Sequence, residues 1–152
     1  MAEKQGFEAM ARAIIDSNLY MVLGTADRDG TPWVSPVYYA PSAYRDFIWV
    51  SRPEAQHSRN LEMRREVSIV IFDSSVPIST GKAVYMSATA QVLAGDERAG
   101  AIEIFSRRSL AHGGTEWTLG RIEPPSHLRL YRAVADDVYV LDPDDRRVPV
   151  TL

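Results

Sequence analysis

Phe7, Met10, Ala11, Ile14 and Ile15 recur at spacings of three and four residues, the stripe of an amphipathic helix lying on a core. After Asn18 the period shortens to two: Leu19, Met21 and Leu23 alternate with Tyr20 and Val22. Asp27-Arg28-Asp29-Gly30 then supplies turn residues before PWVSPVYY, so the two runs read as a β-hairpin. Pro36 interrupts the second run and cannot donate to a ladder, which places that strand at an edge or a bulge. FIWVS, residues 47 to 51, is a third strand. Ser51-Arg52-Pro53-Glu54 fits a capping box, with Ser51 as N-cap of a helix that carries Leu61 and Met63.

VSIVIFD is apolar on both faces and is expected to be a central strand. DSSVPISTG is a loop, and Lys82 to Leu93 is rich in small and β-branched residues, again a strand. Asp96 opens a helix with Ala99, Ile102 and Phe105 inward, and His112-Gly113-Gly114 ends it. HLRLYRAV and VYVLD read as two strands paired across Ala135-Asp136-Asp137, before a polar tail holding Val148 and Val150. About seven strands result, mostly antiparallel neighbours with no βαβ rhythm, so a small barrel is favoured over a doubly wound sheet. No linker or repeat divides the chain, and one domain over residues 1–152 is expected.

The absence of cysteine removes disulfides, thiolate metal sites, iron-sulfur clusters and cysteine nucleophiles together. Seventeen basic residues against 20 acidic ones leave a net charge of -3, the wrong sign for a nucleic-acid surface. The N-terminus lacks the apolar run of a signal peptide and no segment is apolar enough to span a bilayer, so a cytoplasmic protein without a membrane partner is expected.

No serine lies in a G-x-S-x-G elbow, no phosphate loop occurs, and no two histidines share a helix face. His112 reads as a helix-end residue and His127 as a strand residue. Ser51, Arg52, Gln56 and His57 gather at one helix start, where free N–H groups favour an anion; they form either a phosphate cradle or an ordinary capped surface helix. Ser35 and Pro36 leave backbone groups free for the polar edge of a flat ring, or they mark a protected edge strand. Trp33, Trp49 and Trp117 suffice for a ring pocket, although such residues also fill cores.

LGTADRDGTPWVSPVYY, FIWVSRPEAQHSRNL, VSIVIFD and GKAVYMSATAQV, in that order, resemble the pyridoxamine 5'-phosphate oxidase-like superfamily of flavin-binding split barrels. The similarity covers residues 7 to about 93. The resemblance implies a mainly β fold, a six-stranded antiparallel split barrel of Greek-key-like form with peripheral α-helices. It also implies a homodimer with FMN in clefts between the subunits. Val34, Ser35, Pro36 and Val37 match the strand whose backbone runs along the isoalloxazine ring. Val50 and Ser51 match the strand end that meets ring and phosphate, and Gln56 and His57 match phosphate-holding helix positions, with Arg52 and Asn60 close by. Lys82 matches a position from which the neighbouring subunit reaches the flavin, and Trp117 corresponds to a late aromatic that closes the cleft.

The chain departs from the family pattern where His57 replaces a common Lys or Arg, and where Ser35 replaces an Arg. Two fixed charges are thereby missing, to be compensated by Arg52, Arg59 or Lys82, and His57 contributes fully only when protonated. The tail DPDDRRVPVTL lacks the family's substrate-phosphate segment, so vitamin B6 oxidation is not assigned. The implied activity is that of an FMN-dependent oxidoreductase on a small organic molecule, with no catalytic residue nominated. The alternatives are a flavin-binding store, sensor or stress protein and an F420-dependent reductase; relatives of this organisation also bind haem.

Overall fold

The computed structural model describes residues 1–152. The opening stripe forms α1 (Ala2–Ser17), which buries Ala11 and Ile15 completely. The hairpin follows as β1 (Tyr20–Ala26) and β2 (Pro32–Tyr38), paired from Tyr20 opposite Tyr38 to Ala26 opposite Pro32. Its turn is set by Asp27, whose Oδ1 accepts the N–H groups of Asp29 and Thr31 at 2.9 Å each, and by Gly30 at φ +87°. A three-residue strand that the pattern had not disclosed, β3 (Ala40–Ser42), pairs with β4 (Asp46–Ser51). Then come α2 (Gln56–Met63), β5 (Glu66–Phe72), β6 (Ala83–Val92), α3 (Glu97–Ala111), β7 (Arg129–Leu141) and β8 (Arg147–Val150).

The eight strands form one antiparallel sheet, seven of them in the order β2-β1-β5-β6-β7-β4-β3 and β8 beside β7. β7 carries β6 along one edge, and on its other edge first β4 and then β8. The sheet curls until β2 approaches β4, giving a mainly β half-barrel with helices at its periphery. The count is eight rather than six because β3 and β8 extend its edges.

The expected hairpin across Ala135-Asp136-Asp137 is instead the middle of the continuous β7. The register opposite β6 slips there, Ser87 facing Asp137 and Ala88 facing Ala135, so Asp136 is an extra residue that bulges the strand without reversing it. Hydroxyls of Ser87 and Thr89 donate to Asp137 and Asp136 at 3.3 and 3.2 Å.

Burial on both faces falls to β4, not β5. Phe47 and Trp49 point into the barrel core with Tyr39, Met21 and Leu23, whereas Ile48 points the other way, into a second core with Ala101, Ile102 and Phe105 of α3. Ala99, expected inward, is exposed. β5 is central but alternates: Val67, Ile69 and Ile71 are buried, while no helix of the chain covers the side carrying Ser68, Val70 and Phe72.

Candidate functional site

The end of β4 and the start of α2 bring the polar side chains together. The chain turns after Ser51, with the Ala55 N–H donating to the Arg52 carbonyl at 3.1 Å, and α2 begins only at Gln56. The capping box is therefore not formed: Ala55 is the N-cap, and the Ser51 hydroxyl lies 2.8 Å from His57 Nε2 instead. His57, Ser58, Asn60 and Leu61 are the buried residues of α2. Three of the four are polar, and such groups need partners once out of water. Gln56 Nε2 donates to Asn60 Oδ1 at 2.8 Å, and Asn60 Nδ2 donates to Thr25 Oγ1 at 2.9 Å, so α2 is tied to β1 by a buried bond.

Sequence reasoning passed over Thr25. Its signal was present, since it follows Met21 and Leu23 at the inward positions of β1 and is polar where they are apolar.

β2 is an edge strand, pairing only with β1. Its alternation divides the four expected contacts between two faces. Ser35 and Val37 lie on the inner side with Trp33, whose Nε1 donates to Ser35 Oγ at 3.0 Å. Val34 and Pro36 lie on the outer side, opposite Gly24 and Val22. A Cβ at Gly24 would come within 3.3 Å of the Ser68 carbonyl, so glycine permits the close approach of β1 and β5 beside Val34. Arg52 and Arg59 are exposed near the start of α2 and supply its positive charge.

Burial lowers the His57 pKa from 6.5, so at neutral pH its ring is a neutral hydrogen-bonding partner to Ser51 rather than a cation. The charge expected there belongs to the arginines. Acidification below about pH 6.5 lets the unfolded chain take up a proton before folded His57 does, so stability falls as pH falls. His57→Gln is expected to lose less unfolding free energy than the parent between about pH 7 and about pH 5 in urea titrations. His112, shifted the same way, remains in both proteins. Identical slopes would show that the burial of His57 has no energetic consequence.

The remaining expected residues lie elsewhere in the chain. Lys82 is exposed and borders a separate cleft of about 430 Å³ with Glu3, Phe7, Met10 and Asp142, so one chain does not bring it to Ser51. Trp117 is half-buried, with Phe105 edge-on at 5.3 Å and the Arg121 guanidinium 3.6 Å over its ring. It shares a cavity of about 530 Å³ with Val50, Tyr38 and His112.

Among solved structures the fold is similar to a heme binding protein from Mycobacterium smegmatis, at a TM-score of 0.74 and 22% identity over 93% of this chain. It is also similar to a heme storage protein from Vibrio cholerae, at 0.70 and 20% over 88%, and to a protein of unknown function from Agrobacterium tumefaciens, at 0.69 and 21% over 93%. The chain spans 56%, 94% and 61% of those proteins respectively, and at such identities the likeness shows the fold. No curated protein sequence matches the chain. A family model described as pyridoxamine 5'-phosphate oxidase matches residues 7–139, reaching into β7, whereas the motifs carry the resemblance only to about residue 93. The chain therefore belongs to the pyridoxamine 5'-phosphate oxidase family.

Proposed function

We propose that the chain is an FMN-dependent oxidoreductase of small organic molecules that works as a homodimer. The observation that supports this most is the donor set at the β4–α2 turn, Ser51, His57, Gln56, Arg52 and Arg59, beside the edge strand that carries Ser35 and Pro36. Hydroxyl, imidazole, amide and guanidinium groups at a helix start are the chemistry a phosphate monoester requires. In this reading the backbone of Val34, Ser35, Pro36 and Val37, with Val50, borders the ring. Ser51, Arg52, Gln56 and His57 hold the phosphate. Asn60 has both ends of its amide engaged, so it positions α2 through Thr25. Lys82 belongs to the second copy's site, and Trp117 closes the cleft. When bound, FMN supplies hydride transfer at its N5.

The homodimer is supported by the outer face of β2, β1, β5 and β6. Val22, Val34, Pro36, Val70, Phe72 and Tyr85 share that face, and Val34 is 66% exposed. The chain exposes 9010 Å², against about 7,700 Å² expected for a compact monomer of 17.0 kDa. A second copy seated on the apolar face would remove that surplus.

The test is an absorbance spectrum after FMN is added and the protein desalted. Retained oxidised-flavin bands are expected, and a colourless protein would overturn the reading. Arg52→Ala and Arg59→Ala are each expected to weaken FMN about tenfold, since each would lose a charge-assisted bond at an exposed position that the fold does not need. Unchanged FMN affinity in both would remove the arginines from the site. Turnover of bound FMN by NADH or NADPH with a quinone or nitroaromatic acceptor separates the enzyme from a non-catalytic flavin protein. F420 is the alternative suggested by the sparse fixed charge at the phosphate site. Haem is a second reading, suggested by what two of the similar structures bind or store. A hemin titration distinguishes it, because a strong band that resists desalting would displace FMN as the cofactor.

A further inference from the structure

The cavity that joins Val50 to Trp117 contains chemistry that the flavin reading leaves unused. Tyr20, Tyr38, Phe105 and His112 supply its aromatic wall. The rings meet edge to face: Tyr20 with Tyr38 at 6.1 Å, Tyr38 with Phe105 at 5.5 Å, and Phe105 with Trp117 at 5.3 Å. Each such contact uses the face of one ring and the edge of the next, so the wall still offers both to a further flat ring. No charged side chain lines this cavity. An ionic ligand would find no charged partner among these lining residues, which favours an uncharged one.

One polar pair gives the wall a direction. His112, the C-cap of α3, has its Nδ1 2.8 Å from the Tyr38 hydroxyl. A phenol O–H is a stronger donor than a neutral imidazole N–H, and an imidazole nitrogen is a strong acceptor, so the hydroxyl donates to Nδ1. The ring proton then sits on Nε2, which donates to no other group of the chain. Burial, and after it the nearby Arg108, hold His112 below its ordinary 6.5 and keep this neutral form at physiological pH. Arg108 bonds the carbonyls of Ile15 and Asn18 and lies over the face of Tyr39, and its charge also favours the Tyr38 phenolate against the burial that opposes it.

We propose that this cavity binds an uncharged planar aromatic carbonyl compound of the quinone class, its carbonyl oxygen accepting from His112 Nε2 and its ring lying among Tyr20, Tyr38 and Trp117. The role of this ligand as substrate rests on the oxidoreductase reading, since Val50 borders both the cavity and the proposed flavin edge. Its binding does not require flavin. Specificity comes from one donor at the edge of an aromatic wall: a carbonyl ring gains the bond from Nε2 that a ring without an acceptor oxygen cannot make.

The experiment measures by calorimetry the binding of menadione and of 2-methylnaphthalene, the same ring system without carbonyls, to the full chain with and without added FMN. Menadione is expected to bind at least about tenfold tighter. His112→Phe keeps an aromatic ring at this exposed position but removes the donor. It is expected to weaken menadione about tenfold and leave 2-methylnaphthalene unchanged, whereas His112→Gln, whose amide can donate, keeps most of the affinity. Absence of menadione binding, equal affinity for the two probes, or equal losses for both in His112→Phe would overturn the proposal. FMN retained without menadione binding removes this inference alone. Menadione bound in the expected pattern without FMN retention upholds the cavity and removes the flavin reading.

Discussion

Trp49→Ala is expected to lower the unfolding free energy by about 3–5 kcal/mol. Trp49 is completely buried in β4 and stacks on Tyr131 with ring centroids 5.5 Å apart and planes 15° from parallel. β4 has a core on each face, so a void beneath Trp49 cannot be filled by movement toward solvent. The indole Nε1 is buried without a partner, which makes Trp49→Phe informative as well. That change removes the orphaned donor along with part of the ring, and the two effects oppose each other, so a loss under about 2 kcal/mol is expected. Urea unfolding followed by circular dichroism and by fluorescence measures both. A loss below about 1 kcal/mol for Trp49→Ala would mean that the half-barrel collapses around the gap far more freely than a core sandwiched on two sides should.

Val34→Glu is expected to separate the proposed dimer, weakening self-association by about 100-fold, or about 2.7 kcal/mol. Val34 stands on the outer face of β2 and is mostly exposed in the single chain, so the substitution leaves the core of each subunit intact. On a twofold interface it would appear twice, placing two carboxylates in an apolar contact. Sedimentation should then show a monomer at micromolar concentration, and FMN retention should fall with it, because the cleft would lose its second wall. A dimer that persists in Val34→Glu would move the interface off this face. A parent protein that is itself monomeric would remove the shared site altogether.

The order of elements was legible in the sequence wherever a local rule governed it. Asp27 and Gly30 announce their turn because an aspartate accepting two backbone N–H groups and a positive-φ glycine act within five residues. Ser51 misled for the opposite reason: its hydroxyl answers to His57 across the turn, and no local pattern records that the helix is delayed to Gln56. Asp136 and Asp137 look like turn residues until β6 supplies hydroxyls to them, which is tertiary information. The runs FIWV and VSIVIF are both strongly apolar. Only the placement of α3 decides that the first is buried on both sides while the second keeps an outward apolar face.

The candidate site was legible in part. The cluster of Ser51, Arg52, Gln56 and His57 was visible from adjacency along the chain; the structure bonds Ser51 to His57, and Gln56 to Asn60, which only the family resemblance had suggested. Thr25 and the Tyr38–His112 pair were not, since they meet partners 35 and 74 positions away. Their distinguishing mark is a polar group on an apolar wall, and that wall exists only once the sheet has curled.

The pairing of β4 with β7 has a consequence for biosynthesis. Apart from the three-residue β3, β4 has no strand partner until a segment about 80 residues further along the chain has been made. On the ribosome, the β1–β2 hairpin and the β5–β6 pair can close as they emerge, but the turn that carries Ser51 must wait on an unpaired, strongly apolar FIWV. The proposed cofactor pocket is therefore among the last parts of the molecule to exist. Nascent chains stalled before β7 should expose FIWV to chaperones, and cofactor capture should be a post-translational event that cannot rescue them.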